Sequence, residues 1–137
     1  LRSFNNQVRE QLLAEVERAL SVVRPLGGDF RLEIERGYPA GWSDPTVAGW
    51  LNTVTADLLG PQAVVNEPPG MGAEDFAYMC QKAPGAMIMV GAALADGPIR
   101  HHHTNIFDID ETALPLGAAI LAETARRFLT GEVSLKK

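Results

Sequence analysis

The sequence predicts a chain of the α/β fold class, because stretches with helical periodicity alternate with short apolar or alternating stretches that are typical of strands. The composition agrees with a globular domain, since 46% of the 137 residues are hydrophobic and 21% are charged. No apolar run approaches the ~18 residues that a membrane span requires. We therefore expect a folded chain that does not enter a membrane.

The first part of the chain has the pattern of a strand, a helix and a second strand, and the first strand is an alternating piece at residues 1–4. Apolar residues recur at helical spacing over residues 5–23, and most charged residues fall on the other face. In residues 30–35, apolar and charged residues alternate with a period of two, which indicates a half-exposed strand. The Gly- and Pro-containing segment 37–43 suits a connection, so we place a domain boundary near Tyr38.

The second part opens with Asp44 as a predicted N-cap and Pro45 at the first position of a helix. The further predicted elements are a strand at 63–65, a short helix at about 73–82, a strand at 86–91 and a last helix from about 110 to 130. The run at 86–91 is apolar throughout, which predicts a strand buried on both faces. The apolar side of the last helix is predicted to comprise Leu114, Ala118, Leu121, Ala125 and Phe128.

Charge and cysteine content limit the partners and the compartment. The formal net charge is -5 and the 12 basic residues are scattered, so a nucleic-acid surface is excluded. Cys80 is the single cysteine, which rules out an intrachain disulfide and predicts a reducing compartment, by default the cytoplasm. The first residues lack the layout of a signal peptide, and the chain is expected to begin inside a longer sequence.

Three adjacent histidines, His101, His102 and His103, form the first candidate site. They lie between a predicted strand and the last helix, where α/β proteins commonly build sites, and imidazole is a common ligand of zinc. Successive side chains point in different directions, so at most one or two of them could bind one ion. The alternative is an exposed loop whose histidines have no function.

The second candidate site is Glu74 with Asp75, which follow a Gly-rich loop and open a predicted helix. Carboxylates in the first helical turn are stabilised by its free N–H groups, so capping alone could explain them. The Gly-rich approach would also allow a ligand carboxylate to reach backbone N–H groups. From the residues alone, both interpretations remain open.

Three motifs follow one another along the chain: Gly72-Ala73-Glu74-Asp75-Phe76, His103-Thr104-Asn105-Ile106-Phe107-Asp108-Ile109-Asp110-Glu111 and Ala113-Leu114-Pro115-Leu116-Gly117. This ordered set resembles the C-terminal signature of the zinc-dependent amidohydrolases, which include aminoacylases, hippurate hydrolases and plant auxin-conjugate hydrolases, and more distantly carboxypeptidases. The chain departs from the family pattern at Asn105, where Pro is usual, and at Ser43, where Asn is common. Neither change removes a candidate ligand.

The resemblance implies an α/β enzyme with two domains. Residues 1–37 would be the C-terminal part of a ferredoxin-like lid, which usually mediates dimerisation, so a homodimer is expected. Residues 38–137 would be the C-terminal part of a zinc-peptidase-like catalytic domain. Strands separated from their partners in such a sheet would leave open edges, which also favour association.

The resemblance further implies the site and its chemistry. His103 matches a metal ligand, whereas His101 and His102 match neighbouring positions. Glu74 and Asp75 match a pair at the edge of the active site, with a role in substrate binding. One or two ions of zinc, or of manganese, cobalt or nickel, would polarise the amide carbonyl and activate water. The other ligands and the catalytic Glu of the family are outside this chain, so no catalytic residue is assigned here.

Three hypotheses for the function follow. The chain is the C-terminal portion of an amidohydrolase of N-acyl amino acids or peptide-like amides, with an incomplete active site and no activity alone. Alternatively, it is a truncated, non-catalytic relative that acts as a dimerising or binding module. The third hypothesis is an unrelated α/β protein with incidental histidines.

Overall fold

The computed structural model describes residues 1–66 and 70–135. They contain helices α1 (Asn6–Leu20), α2 (Pro45–Leu59), α3 (Phe76–Cys80) and α4 (Ala113–Leu129), with 3-10 turns at Ser21–Val23 and Pro61–Ala63. The described residues form two compact units. The first comprises Leu1–Asp44 and Glu67–Gly85, and the second comprises Pro45–Asn66 and Ala86–Lys137.

In the first unit, helix α1 begins at a side-chain cap. The Asn5 Oδ1 accepts hydrogen bonds from the backbone N–H groups of Gln7 at 2.7 Å and Val8 at 3.3 Å. These two N–H groups have no acceptor within the helix, so Asn5 satisfies both. The helix spans most of the predicted range 5–23, and its last turn tightens into the 3-10 geometry that often ends a helix.

Polar contacts attach α1 to the segment that follows it in this unit. The Arg36 guanidinium donates two hydrogen bonds to the Glu10 carboxylate at 2.5 and 2.7 Å. Arg9 donates to the Gly37 carbonyl at 2.7 Å, and the Ala40 N–H donates to the Asn6 side-chain oxygen at 3.0 Å. The Arg36 side chain lowers the pKa of Glu10, mainly by this hydrogen bonding. Residues 36–40 are therefore held along α1 without a sheet.

Helix α3 packs on the same connecting segment. The Tyr38 and Tyr78 rings meet edge to face, with centroids 6.0 Å apart and planes at 82°. Ala77 is only 4% exposed. A Cβ added at Gly41 would lie 3.1 Å from the Ala77 Cβ, so the absence of a side chain at Gly41 permits the close approach.

The core of the second unit lies between α2 and α4. Leu51, Val54 and Ile120 are 2%, 1% and 4% exposed and form one cluster. Partly buried residues pack against it, namely Val47, Leu59, Ala86 and Ile88. Near the C-terminal end of α4, the Phe128 ring stacks on the Trp50 ring of α2, with centroids 5.7 Å apart. Apolar burial thus holds the two helices together.

Ion pairs reinforce this helix pair. Arg127 bridges α4 to α2, with its Nη1 2.7 Å from Asp57 and its Nε 2.8 Å from Glu123. Arg126 also donates to Glu123, through Nε at 2.7 Å and Nη2 at 2.8 Å. Hydrogen bonds from Arg126 and then Arg127 lower the pKa of Glu123 to about 2. The Glu123 carboxylate is therefore stabilised in its charged form.

Helix α4 ends in a Schellman motif. The Gly131 N–H donates to the Phe128 carbonyl at 3.2 Å, and the Glu132 N–H donates to the Arg127 carbonyl at 2.9 Å. Gly131 has a φ of +79°, which only glycine adopts at little cost. The predicted stop at this glycine is confirmed.

The predicted strands are corrected by the structure. Residues 1–4, 30–35 and 86–91 have no regular secondary structure, and Ala63 belongs to a 3-10 turn. A strand exists only through ladder hydrogen bonds to a neighbour, and the described part of the chain contains no such ladder. Periodicity reports which side chains face a core, not whether a pairing partner is present. The family supports an α/β class, but the described residues are helical and irregular.

Residues 86–91 also differ from the predicted burial on both faces. Ala86 and Ile88 pack against the core, whereas Met87 and Met89 are 47% and 86% exposed. This segment buries one side and exposes the other. An unbroken apolar run could not distinguish these arrangements, because methionine tolerates both.

The buried side of α4 is displaced by one residue from the predicted side. Ala113 and Ile120 are buried, whereas Leu114 and Leu121 are 60% and 56% exposed. The small residue Gly117 faces Val90, whose Cγ2 would lie 3.4 Å from an added Cβ. The buried side continues with the half-buried polar residues Thr124 and Arg127, so the apolar pattern alone did not identify it.

The division into a lid at 1–37 and a catalytic part at 38–137 stays a prediction. The two compact units have other bounds, and each consists of two separate segments of the chain. None of the described helices is long and apolar enough to cross a membrane.

Candidate metal and substrate site

The predicted metal ligand lies in the histidine loop, which we define as residues 100–108 in the second unit. His101, His102 and His103 are all exposed. The guanidinium of Arg100 pairs with the carboxylate of Asp108 across the loop, so that its two ends are joined by opposite charges. The histidines are therefore presented to solvent by a closed loop.

His103 has a distinctive backbone. Its φ is +64°, and among the described residues it is the one non-glycine residue with a positive φ. Histidine adopts a positive φ more often than most residues, but the conformation is uncommon for any residue other than glycine. The His102 ring meets the His103 ring edge to face, with centroids 4.8 Å apart and planes at 73°.

Hydrogen bonds inside the loop surround His103. The Thr104 hydroxyl donates to the His101 carbonyl at 2.7 Å, and the Phe107 N–H donates to the Thr104 carbonyl at 3.2 Å. These bonds fix the backbone on both sides of His103.

Two aspartates connect the loop to α4. The second Asp108 oxygen, Oδ1, accepts from the Ile109 N–H at 3.0 Å. The Asp110 N–H donates to the Ala92 carbonyl at 2.9 Å, and the Asp110 Oδ1 accepts from the N–H and hydroxyl of Thr112 at 2.9 and 2.6 Å. Hydrogen bonding from Thr112 lowers the pKa of Asp110. Asp110 thus forms the turn before α4, which begins three residues later than predicted.

Glu74 and Asp75 lie in the first unit, before α3, and both are exposed. Asp75 occupies the N-cap position, but its side chain makes no capping hydrogen bond. The backbone carbonyls of Glu74 and Asp75 accept from the N–H groups of Ala77 at 3.2 Å and Tyr78 at 2.9 Å. The prediction that the Asp75 side chain caps the helix is therefore wrong. The N–H groups of Ala77 and Tyr78 already donate to backbone carbonyls.

The described residues can be compared with the ligands that a catalytic zinc site requires. A catalytic zinc site uses about three protein ligands and a water. No group of three or more His, Cys, Asp or Glu residues in the described ranges could hold an ion. His103 fits one ligand position, because its exposed imidazole is a suitable donor. The family's full metal centre does not fit these residues alone.

A small cavity between α2 and α4 is not a substrate pocket. It measures about 50 Å³ and is lined by Trp50, Thr53, Val54, Thr124, Arg127 and Val133. Small-molecule sites usually enclose about 300–1,000 Å³.

Sequence reasoning missed Arg100 and the pairing role of Asp108. The sequence does place opposite charges on the two sides of the histidines. This pattern by itself predicts an ion pair only weakly, because most exposed charges are solvated.

Comparison with known proteins supports the resemblance. The chain is 36% identical over 128 residues to the putative amidohydrolase YhaA of Bacillus subtilis, covering 90% of this chain and 32% of that protein. It is 37% identical over 98 residues to the IAA-amino acid hydrolase ILR1-like 6 of Arabidopsis thaliana, covering 71% of this chain and 21% of that protein. It is 29% identical over 133 residues to the N-acetyl-L-cysteine deacetylase of B. subtilis, covering 94% of this chain and 30% of that protein.

The chain therefore spans no more than about a third of the length of these relatives. No solved structure matches the chain significantly. The model of one family, described as peptidase family M20/M25/M40, matches residues 7–127. Because this match covers most of the 137 residues, the chain belongs to peptidase family M20/M25/M40.

Proposed function

We propose that this chain forms the C-terminal portion of a metal-dependent amidohydrolase that hydrolyses N-acyl amino acids or similar amides. The observation that carries the proposal is the family match over residues 7–127. The names of the relatives agree, because they include an amidohydrolase, an amino-acid conjugate hydrolase and a deacetylase. Residues 1–37 would belong to a lid and residues 38–137 to the catalytic domain.

In this proposal His103 binds one of one or two metal ions, zinc or alternatively manganese, cobalt or nickel. Three observations support this role: the position of His103 in the motif, its exposed imidazole and its unusual φ of +64°. When bound, such an ion polarises a carbonyl and activates water. His101 and His102 flank the ligand, and no catalytic residue is assigned within this chain.

Glu74 and Asp75 are proposed to contact the substrate. Their exposed carboxylates suit hydrogen bonding to a donor on a small molecule, such as the amide N–H. Because the Asp75 side chain makes no capping bond, helix capping does not account for it. Both residues would act by positioning the substrate.

The alternative function is a non-catalytic module that binds or dimerises. The observation in its favour is that the described residues hold no group of three potential metal ligands. We propose a homodimer under either function, and a reducing compartment such as the cytoplasm suits the single Cys80.

A chimera tests the proposal. The matched 133 residues of the B. subtilis N-acetyl-L-cysteine deacetylase are replaced by the corresponding residues of this chain, and release of L-cysteine is measured. We expect the chimera to hydrolyse N-acetyl-L-cysteine, and His103→Ala in the chimera to reduce kcat/KM by at least about 100-fold, as expected for a metal ligand.

The matched control is His102→Ala in the same chimera, which removes a neighbouring imidazole and should retain activity within a few-fold. Equal activity of the His103→Ala chimera and its parent would contradict the proposed ligand. A folded but inactive parent chimera would favour the non-catalytic module.

A further inference from the structure

We propose that Arg100 and Asp108 are positioning residues: their ion pair closes the histidine loop and holds His103 in the conformation that binds a metal ion. This inference rests on the proposed role of His103. It assigns a role to two residues that contact neither a metal ion nor a substrate in the proposed function.

The contacts at the ends of the loop carry the inference. Arg100 and Asp108 are eight positions apart, and their side chains form an ion pair that is 35% and 54% exposed, respectively. A wider segment that contains the loop is joined by the Asp110 N–H, which donates to the Ala92 carbonyl at 2.9 Å. The ion pair thus closes the loop inside a segment that this hydrogen bond closes.

The bonding of Asp108 argues against its being a ligand itself. One carboxylate oxygen pairs with Arg100, and the other accepts from the Ile109 N–H at 3.0 Å. Both oxygens are therefore engaged within the loop and its continuation. Outer groups that hold ligand-bearing segments commonly influence metal affinity although they do not touch the ion.

The backbone of His103 shows why such a closure matters. A histidine with a φ of +64° occupies a sparsely populated region, and it persists there when the surrounding structure imposes it. In the loop, the Thr104 hydroxyl bond to His101 fixes one side of His103. If the Arg100–Asp108 pair is lost, the loop gains alternative conformations, and His103 must be reordered whenever it binds an ion.

The test follows the imidazole resonances of the 15N-labelled chain by NMR during titration with zinc chloride at fixed pH. The three histidines are assigned with single His→Gln variants. Asp108→Asn removes the charge but keeps an oxygen for the Ile109 N–H, so it isolates the ion pair. We expect it to weaken the zinc affinity at His103 by roughly 3- to 5-fold, the size of effect that an exposed ion pair can supply.

Three further variants make the result specific. Arg100→Gln removes the other charge of the ion pair and should weaken the affinity by a similar factor, and the double variant Arg100→Gln with Asp108→Asn should lose no more affinity than either single variant. Asp29→Asn is the matched control, because Asp29 pairs with Arg24 at 3.3 Å in the first unit, and it should leave the affinity unchanged.

The outcomes separate the two claims. If Asp108→Asn leaves the zinc affinity at His103 unchanged while His103→Ala abolishes the response, the positioning role is overturned and the ligand role stands. If zinc does not perturb His103 in the unmodified chain, the proposed ligand role fails, and the positioning role fails with it. Additive losses of affinity in the double variant Arg100→Gln with Asp108→Asn also overturn the ion-pair explanation.

Discussion

Substitution of Ile120 by alanine tests which side of α4 is buried. Ile120 is 4% exposed and packs in the cluster with Leu51 and Val54. The change removes three carbon atoms, and at ~0.8 kcal/mol for each the transfer contribution is about 2.4 kcal/mol. The cavity left behind adds to this loss, so we expect the free energy of unfolding to fall by about 3–4 kcal/mol.

The assay is urea unfolding followed by far-UV circular dichroism, with Leu121→Ala as the matched control. Leu121 is the next residue of the same helix and is 56% exposed. Because alanine has the highest helix propensity and little burial is lost, Leu121→Ala should cost less than about 1 kcal/mol. A loss for Leu121→Ala equal to or larger than that for Ile120→Ala would refute the assignment of the buried side.

Three further substitutions test local features. Glu123→Gln should reduce the dependence of stability on pH. The pKa of Glu123 is about 2 in the folded chain and 4.5 ordinarily, so its carboxylate stabilises the fold above pH 4.5, and this stabilisation is lost as the pH falls toward 2. Urea unfolding midpoints between these pH values measure the effect. Gly131→Ala should lower stability by about 1 kcal/mol, because its φ is +79°. Asn5→Ala should cost about 1 kcal/mol and reduce the helicity of α1, measured by hydrogen exchange.

The glycine and asparagine substitutions have their own checks. Gly49→Ala is in the interior of α2 with open space around the new methyl group, so it should not destabilise the chain. Unchanged exchange rates at the start of α1 in Asn5→Ala would contradict the capping role.

The helices could be predicted because their signals are local. The start of α2 at Pro45 and the end of α4 before Gly131 follow from the conformational restrictions of proline and glycine. Strands could not be established in the same way, because an alternating segment such as 30–35 becomes a strand only when a partner supplies hydrogen bonds.

The candidate site was predictable only in part. The family assignment is confirmed, whereas the roles that the motif suggests for His103, Glu74 and Asp75 stay predictions. The sequence could not show the left-handed backbone of His103 or the ion pair of Arg100 with Asp108, since both depend on how the loop closes. Nor could it identify the buried side of α4, because that side includes the polar residues Thr124 and Arg127, whereas the predicted side is apolar throughout.

The central claim is that this chain carries one ligand of a metal site that it does not complete. Calorimetric titration with zinc of the 137-residue chain beside its His103→Ala variant tests this claim most directly. We predict weak binding to the chain, with the heat lost in the variant, because one imidazole cannot replace the three or so ligands of a catalytic site. Tight, stoichiometric binding to the chain would contradict the claim and show that it assembles a metal site by itself.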